Sequence, residues 1–218
     1  MGGRSESGNV PTCGPAGPRR RSRAERRAQF LDVAAELIVE GGFDAVTMEG
    51  LAQRAGVSKG LGYAYFDNRD QLLAALFKRE MTALDRRVTE AGDRAAAAGE
   101  PFEERLRAII SAGLDVVADR GALIGALLQG KLDVGPLEQS RRTRQRSVED
   151  YFVSLVRAEY GLSERVARSA VPILLSGYAG ALDLWVRRRA TRAEITAAFV
   201  RLAVGGLRAL GEVPEKAN

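Results

Sequence analysis

The chain contains no histidine and a single cysteine, Cys13, and proline is scarce beyond residue 20. Each shortage excludes something. Without histidine there is no Ser-His-Asp or Cys-His nucleophile pair, no HExxH zinc site and no histidine-ligated metal. One cysteine cannot form an intramolecular disulfide, which fits a reducing cytoplasm. Neither a GxxxxGK[ST] nor a GxGxxG phosphate-binding loop is present, so no cofactor is expected. Carboxylate chemistry alone would need a pair such as Asp115 with Asp133 or Glu138, and no spacing recommends those pairs. The expectation is a protein that is not an enzyme.

Long apolar runs are lacking too. The start has no uninterrupted stretch of the kind a secretory signal needs. The longest apolar region, Val166 to Val186, is broken by Arg168, Pro172 and Asp183. At a bilayer centre each charge would cost about 2.5–3.5 kcal/mol, so the region reads as a buried core helix and no membrane partner is expected. Val and Ile never cluster in alternating runs. Ala, Arg, Leu and Glu fill the chain instead, which argues for helices over sheets.

What is present is unevenly distributed. Residues 1–30 carry seven Arg against two Glu, which accounts for the whole net charge of +5, and the remainder balances at 26 against 26. A basic arm beside a folded head suits a polyanionic partner, although a solvated tail has the same composition. Residues 1–20, rich in Gly, Pro, Ser and Arg without periodicity, are expected to be disordered. Ser22 and Glu25 have capping-box spacing. Phe30, Leu31, Ala34, Leu37 and Ile38 then follow at helical period until Gly41 and Gly42. Thr47 and Ser58 can cap two short helices, running to about Ala55 and Phe66, with Gly56 in the turn between them. Asn68 and Gln71 start a fourth. Further helices are expected at about 102–118, 121–130, 137–160, 163–189 and 191–210, about nine in all. Three short helices ending in such a turn present the start of the last one to a DNA major groove.

The residues Ala55-Gly56-Val57-Ser58-Lys59-Gly60, then Tyr63-x-Tyr65-Phe66, then Asn68-Arg69-Asp70-Gln71-Leu72-Leu73 resemble the DNA-binding head of the TetR family of bacterial transcriptional regulators. The run from Phe30 to Phe43 is similar to that family's first helix and Gly-Phe connection. Four positions depart from the pattern. Gly62 stands where the family usually has Leu, Leu61 where it has Thr or similar, Ala64 replaces a frequent His, and Arg69 a usual Lys. These put the base readout in doubt more than the fold.

The DNA-binding residues expected are Thr47, Ser58, Lys59, Gly60, Tyr63 and Arg69. Thr47 and Ser58 sit at helix N-termini, where hydroxyls and backbone N–H groups meet phosphates. Lys59 can reach a guanine edge or a phosphate, and Gly60 permits close approach. Tyr63 can bond a phosphate, whereas Tyr65 and Phe66 read as core. Arg69 would hold the flanking backbone, and Arg19 to Arg23 would follow the minor groove or add phosphate contacts.

The fold class expected is all-α. A disordered arm spans 1–20, a helix-turn-helix head 21–67, a helical ligand-binding and dimerisation bundle 68–211, and a disordered tail 212–218. The last two helices are rich in small and apolar residues on more than one face. They are expected to pair with their copies in a homodimer, as in the resembling family, whose palindromic operators accept two recognition helices about 34–36 Å apart. The resemblance also implies a small-molecule pocket, with Phe102, Leu114, Leu128, Phe152, Tyr178 and Trp185 as candidates, all equally readable as core. Pro172 would kink its helix there. The function implied is a cytoplasmic regulator, a repressor released by an unidentified ligand through a population shift. The alternative is a helical scaffold with a basic nucleic-acid-binding arm.

Overall fold

The computed structural model describes residues 22–129, 135–186 and 189–212. The expected arm and nearly all of the expected tail lie outside them, as do Arg19, Arg20, Arg21 and Asp133. Eight α-helices follow in order among the described residues: α1 (Arg23–Gly41), α2 (Met48–Arg54), α3 (Lys59–Tyr63), α4 (Arg69–Ala97), α5 (Phe102–Gln129), α6 (Gly135–Tyr160), α7 (Glu164–Val186) and α8 (Arg192–Glu212). A single 3-10 turn, Phe43–Ala45, joins α1 to α2. No described helix is long and apolar enough to cross a membrane.

Local chemistry explains most boundaries. Ser22 and Glu25 exchange hydrogen bonds at the start of α1, the backbone N–H of each donating to the other's side chain at 2.7 and 3.1 Å. Thr47 Oγ1 accepts from Gly50 N at 2.9 Å and Asn68 Oδ1 from Gln71 N at 2.9 Å, which satisfies N–H groups that have no partner inside the helix. Gly56 turns the chain between α2 and α3 with φ 66°, a conformation that costs a residue with a Cβ. Ser58 starts α3, but its side chain makes no capping bond.

The segments expected at 102–118 and 121–130 are both present, run together as α5 across a kink at Arg120 (φ −137°, ψ 26°), so the described helical segments number nine when that kink is counted as a break. One expectation needs correction. Pro172 sits inside a continuous α7. The departure from helical geometry is at Arg120, whose guanidinium is drawn to Glu80 of α4 at 2.8 Å. Helix α3 also ends three residues before Phe66, because the N–H groups of Tyr65 and Phe66 turn back to Gly62 O.

Two cores result. The first unites the head with the adjoining parts of α4 and α5: Phe30, Leu31, Val46, Leu51 and Phe66 pack with Leu72, Leu76, Phe77, Ile124 and Leu127. Phe30 holds Tyr65 and Phe66 at ring separations of 5.4 and 6.4 Å, which places both in this packing. The second joins α5, α6, α7 and α8 through Leu106, Ile110, Leu114, Val171, Val200 and Leu207. Helix α5 contributes to both, its early turns to the second and its later turns to the first.

Candidate nucleic-acid interface and effector cavity

The turn after α2 sets the direction of α3, and Gly62 faces inward beneath it. A Cβ there would meet the Met48 methyl at 3.7 Å, so Met48 fills the space a larger residue would take, while Leu61 packs against the same core. The opposite face of α3 is open. Nothing lies within 4 Å of where a Gly60 Cβ would be, and Tyr63 is exposed. A shallow groove runs between α3 and the starts of α2 and α4. Four of the six expected contact residues line it: Thr47, Lys59, Tyr63 and Arg69. Ser58 and Gly60 stand at the start of α3 beside it. Thr47 accepts the capping bond and keeps its own hydroxyl proton to donate. Lys59 Nζ lies 3.6 Å from Glu49 Oε2, an exposed pair that water and salt screen and that a phosphate can replace.

Arg69 has structural contacts beyond the role expected. Its Nε donates to Val46 O at 2.8 Å and its Nη2 to Phe43 O at 2.7 Å, with Nη1 3.9 Å from Asp70. Two directional donors are thus committed to the connection between α1 and α2. Arg69 clips the head onto the first turn of α4 and is a structural residue before it is a phosphate contact. The signal for this, a cation at the start of a helix where the dipole disfavours it, was present in the sequence. At the edge of the head, Arg23 and Arg27 rest over the rings of Tyr65 and Phe66 at 5.9 and 5.0 Å.

Behind the head, a cavity of about 700 Å³ opens among α4, α5, α6, α7 and α8. Its wall is mostly aliphatic and aromatic, as in small-molecule sites generally. Phe102, Leu128, Phe152 and Tyr178 line it, and so does Pro172. Leu114 and Trp185 do not: Leu114 is fully buried in the second core and Trp185 packs against both cores. Tyr178 reaches over Gly113, where a Cβ would overlap its hydroxyl, and donates weakly to Ile110 O at 3.4 Å. Burial pushes its pKa far above that of an ordinary tyrosine, so it remains a neutral donor. Tyr151, also on the wall, is raised by burial and then by Asp93, with Arg105 opposing.

Sequence reasoning missed the polar part of this wall. Arg141, Arg142 and Arg144 of α6, none of them singled out from the sequence, line the cavity, with Asp85 and Thr89 opposite on α4. Of the carboxylates weighed for catalysis, Asp115 is held by Arg192 and Glu138 by Arg142.

A short helix with an open face, set by a tight turn and standing on a hollow helical body, is the layout of a helix-turn-helix DNA-binding protein. Residues 30–76 match the family model of the bacterial regulatory proteins of the tetR family, so the head is similar to that of a TetR-family transcriptional regulator. The chain is similar to the HTH-type transcriptional repressor KstR of Mycolicibacterium smegmatis, 28% identical over 204 residues that cover 84% of this chain and 89% of that one. The HTH-type transcriptional regulator BetI of Burkholderia mallei is 36% identical over 98 residues, 45% of this chain and 49% of its own. A TetR-family regulator from Streptomyces coelicolor superposes with a TM-score of 0.66 at 26% identity, over 88% of this chain and 83% of that one. The fold is shared with FadR of Bacillus subtilis, solved in complex with stearoyl-CoA, at a TM-score of 0.67 and 23% identity over 82% and 98% of the two chains.

Proposed function

We propose that the protein is a homodimeric transcriptional repressor that reads a palindromic operator with two copies of α3 and is released by a small, largely apolar effector. One observation carries the DNA-reading part: the groove that gathers Thr47, Lys59 and Tyr63 beside an α3 face left open at Gly60. Such a face fits a major groove, with Ser58 and Lys59 at its leading end. The head is assigned to residues 21–67 and the body to 68–211. The basic segment 1–20 adds phosphate contacts by its charge.

The dimer reading is supported by uncovered apolar stripes on the last two helices. Ile173, Gly177, Gly180 and Leu184 share one face of α7, all exposed, with Ile173 71% accessible. Ala198, Leu202, Gly205 and Ala209 do the same on α8, with Leu202 75% accessible. Glycines in these stripes meet little or nothing where a Cβ would be, which lets helix axes approach closely. Four such helices, two from each protomer, bury the stripes against one another. The repressor function of the relative from M. smegmatis and the acyl-CoA complex of the B. subtilis neighbour agree with a repressor whose effector has a long apolar part.

The test is selection of bound fragments from the source genome, followed by titration of the recovered site. A palindrome is expected, with affinity falling steeply as salt rises because each phosphate contact releases counterions. Lys59→Ala should weaken binding and flatten the log–log salt slope by about one. A protein that enriches no palindrome at low ionic strength would refute the reading.

A further inference from the structure

The polar part of the cavity wall is organised around one ion pair between two helices. Arg144 of α6 donates from Nε and Nη2 to the two carboxylate oxygens of Asp85 on α4, at 3.0 and 2.6 Å. This is the paired, planar geometry with which a guanidinium holds a carboxylate most strongly. Arg144 is the more enclosed partner, its side chain 23% accessible against 37% for Asp85. One turn earlier, Arg141 donates to Leu127 O at 2.8 Å and lies over the Phe77 ring. The other carboxylates on this wall are engaged along α6 itself, Glu138 by Arg142 and Glu149 by Gln145. The enclosed charge at the cavity is therefore cationic. Its acidic partner is reached from a different helix and has water on one side. Away from these α6 polar groups the wall is mostly apolar, with Leu84 and Val88 of α4, Ile109 of α5, Leu174 of α7 and Phe199 of α8.

We propose that the effector is an amphipathic organic acid whose apolar body fills this cavity and whose carboxylate takes Arg144 from Asp85. This rests on the cavity being the effector site. Asp85 already occupies the place the ligand's acid would take, so the exchange conserves the fork at Arg144. Asp85 then turns to solvent, to which it is partly open. The neutral Tyr178 hydroxyl stands on the wall as a donor for a second oxygen of the ligand. The exchange unfastens α6 from α4, the helix whose first turn Arg69 joins to the head.

The test uses the full-length protein and three probes with twelve-carbon chains below their micellar concentrations: laurate, dodecan-1-ol and dodecyltrimethylammonium. Binding is read from the emission of Trp185, the only tryptophan, three residues along α7 from Leu182 on the cavity wall. Laurate is expected to bind about tenfold more tightly than either other probe, the size of effect one charge-assisted pair provides. Arg144→Gln should abolish that preference. Asp85→Asn should raise laurate affinity severalfold, because it removes the competitor, an increase that a merely structural ion pair would not give. If Arg144→Gln fails to fold, the Asp85→Asn comparison alone decides. Equal binding of the acid and the alcohol, preference for the ammonium, or unchanged or weaker laurate binding by Asp85→Asn would each overturn the proposal while leaving the cavity as an effector site. Binding of no probe would overturn both. Operator affinity of the same proteins, measured without probe, reports separately on the DNA-binding reading.

Discussion

Helix α3 is five residues long and two of them are glycine, so the element proposed to read DNA is intrinsically weak. Each glycine in a helix costs about 1 kcal/mol relative to alanine. At Gly62 that cost is removable. An added Cβ meets only the Met48 methyl, at the ordinary contact distance of 3.7 Å, and it is buried. Gly62→Ala should therefore stabilise α3 by about 1 kcal/mol, with a small further gain from the buried methyl. Hydrogen exchange at Ala64, Tyr65 and Phe66, whose N–H groups bond back to Gly60 and Gly62, should slow about fivefold. Urea unfolding at fixed protein concentration should shift to a higher midpoint with an unchanged slope. Gly60→Ala is the control. It has open space around it and gains the same helix propensity, but its methyl would stand on the face proposed to meet DNA. It should slow exchange similarly and weaken operator binding, whereas Gly62→Ala should leave operator binding unchanged or tighter. Faster exchange in Gly62→Ala would mean that α3 does not pack on Met48 as described, and the account of this departure from the family pattern would fail.

Leu202→Glu, alone or with Ile173→Asp, should give a monomer by light scattering and reduce operator affinity, since two heads on one site bind through effective concentration. Gly113→Ala should destabilise by about 1–3 kcal/mol through overlap with Tyr178. Tyr178→Phe in the same chain should restore most of the urea midpoint, and failure to restore it would place the clash elsewhere. Glu80 is 3% accessible and is held by Arg79 and Arg120 at 2.8 Å each. Glu80→Gln should cost roughly 1–3 kcal/mol in unfolding free energy, below the full cost of a wholly buried pair because both arginines reach water.

The sequence disclosed the head in detail because its signals are local. Ser22 with Glu25, Thr47, Gly56 and Asn68 each act within four residues, and the structure uses all of them. The long helices were legible as periodic apolar segments. What was hidden depends on contacts between residues far apart in the chain. The break near Gly121 was legible, but the ion pair that Arg120 makes there with Glu80, 40 positions earlier, was not. That Arg69 also bonds Phe43 O and Val46 O could not be read from the sequence. The cavity wall divides for the same reason. Aromatic type picked out Phe152 and Tyr178, but it also picked out Trp185, and no periodicity marks Arg144 and Asp85 as partners. Leu114 failed because a leucine facing a cavity and one sealed in a core have the same pattern.

The layout limits which ligands can act. Helix α5 is packed into the second core through Leu106, Ile110 and Leu114 and into the first through Val116, Val117, Ile124 and Leu127, and Arg120, at the bend inside the latter stretch, pairs with Glu80. The cavity takes wall residues from both stretches, Ile110 on one side and Ile124 and Leu128 on the other. Close-packed cores shift between discrete arrangements and do not deform smoothly. Moving the protein from almost wholly DNA-competent to almost wholly incompetent requires a preference of about 5.5 kcal/mol for the second arrangement. That preference can come only from contacts that differ between the two, and the elements joining cavity to head are α4 and the later turns of α5. A compound seated against α7 and α8 alone can bind tightly, compete with the effector and leave operator affinity where it was. Filling the space beside Phe77, Ile124 and Leu128 should release DNA in proportion to the contacts made there. A series of compounds ranked by operator release, and not by affinity, tests this: a ranking that follows affinity alone would refute the role given to α4 and α5.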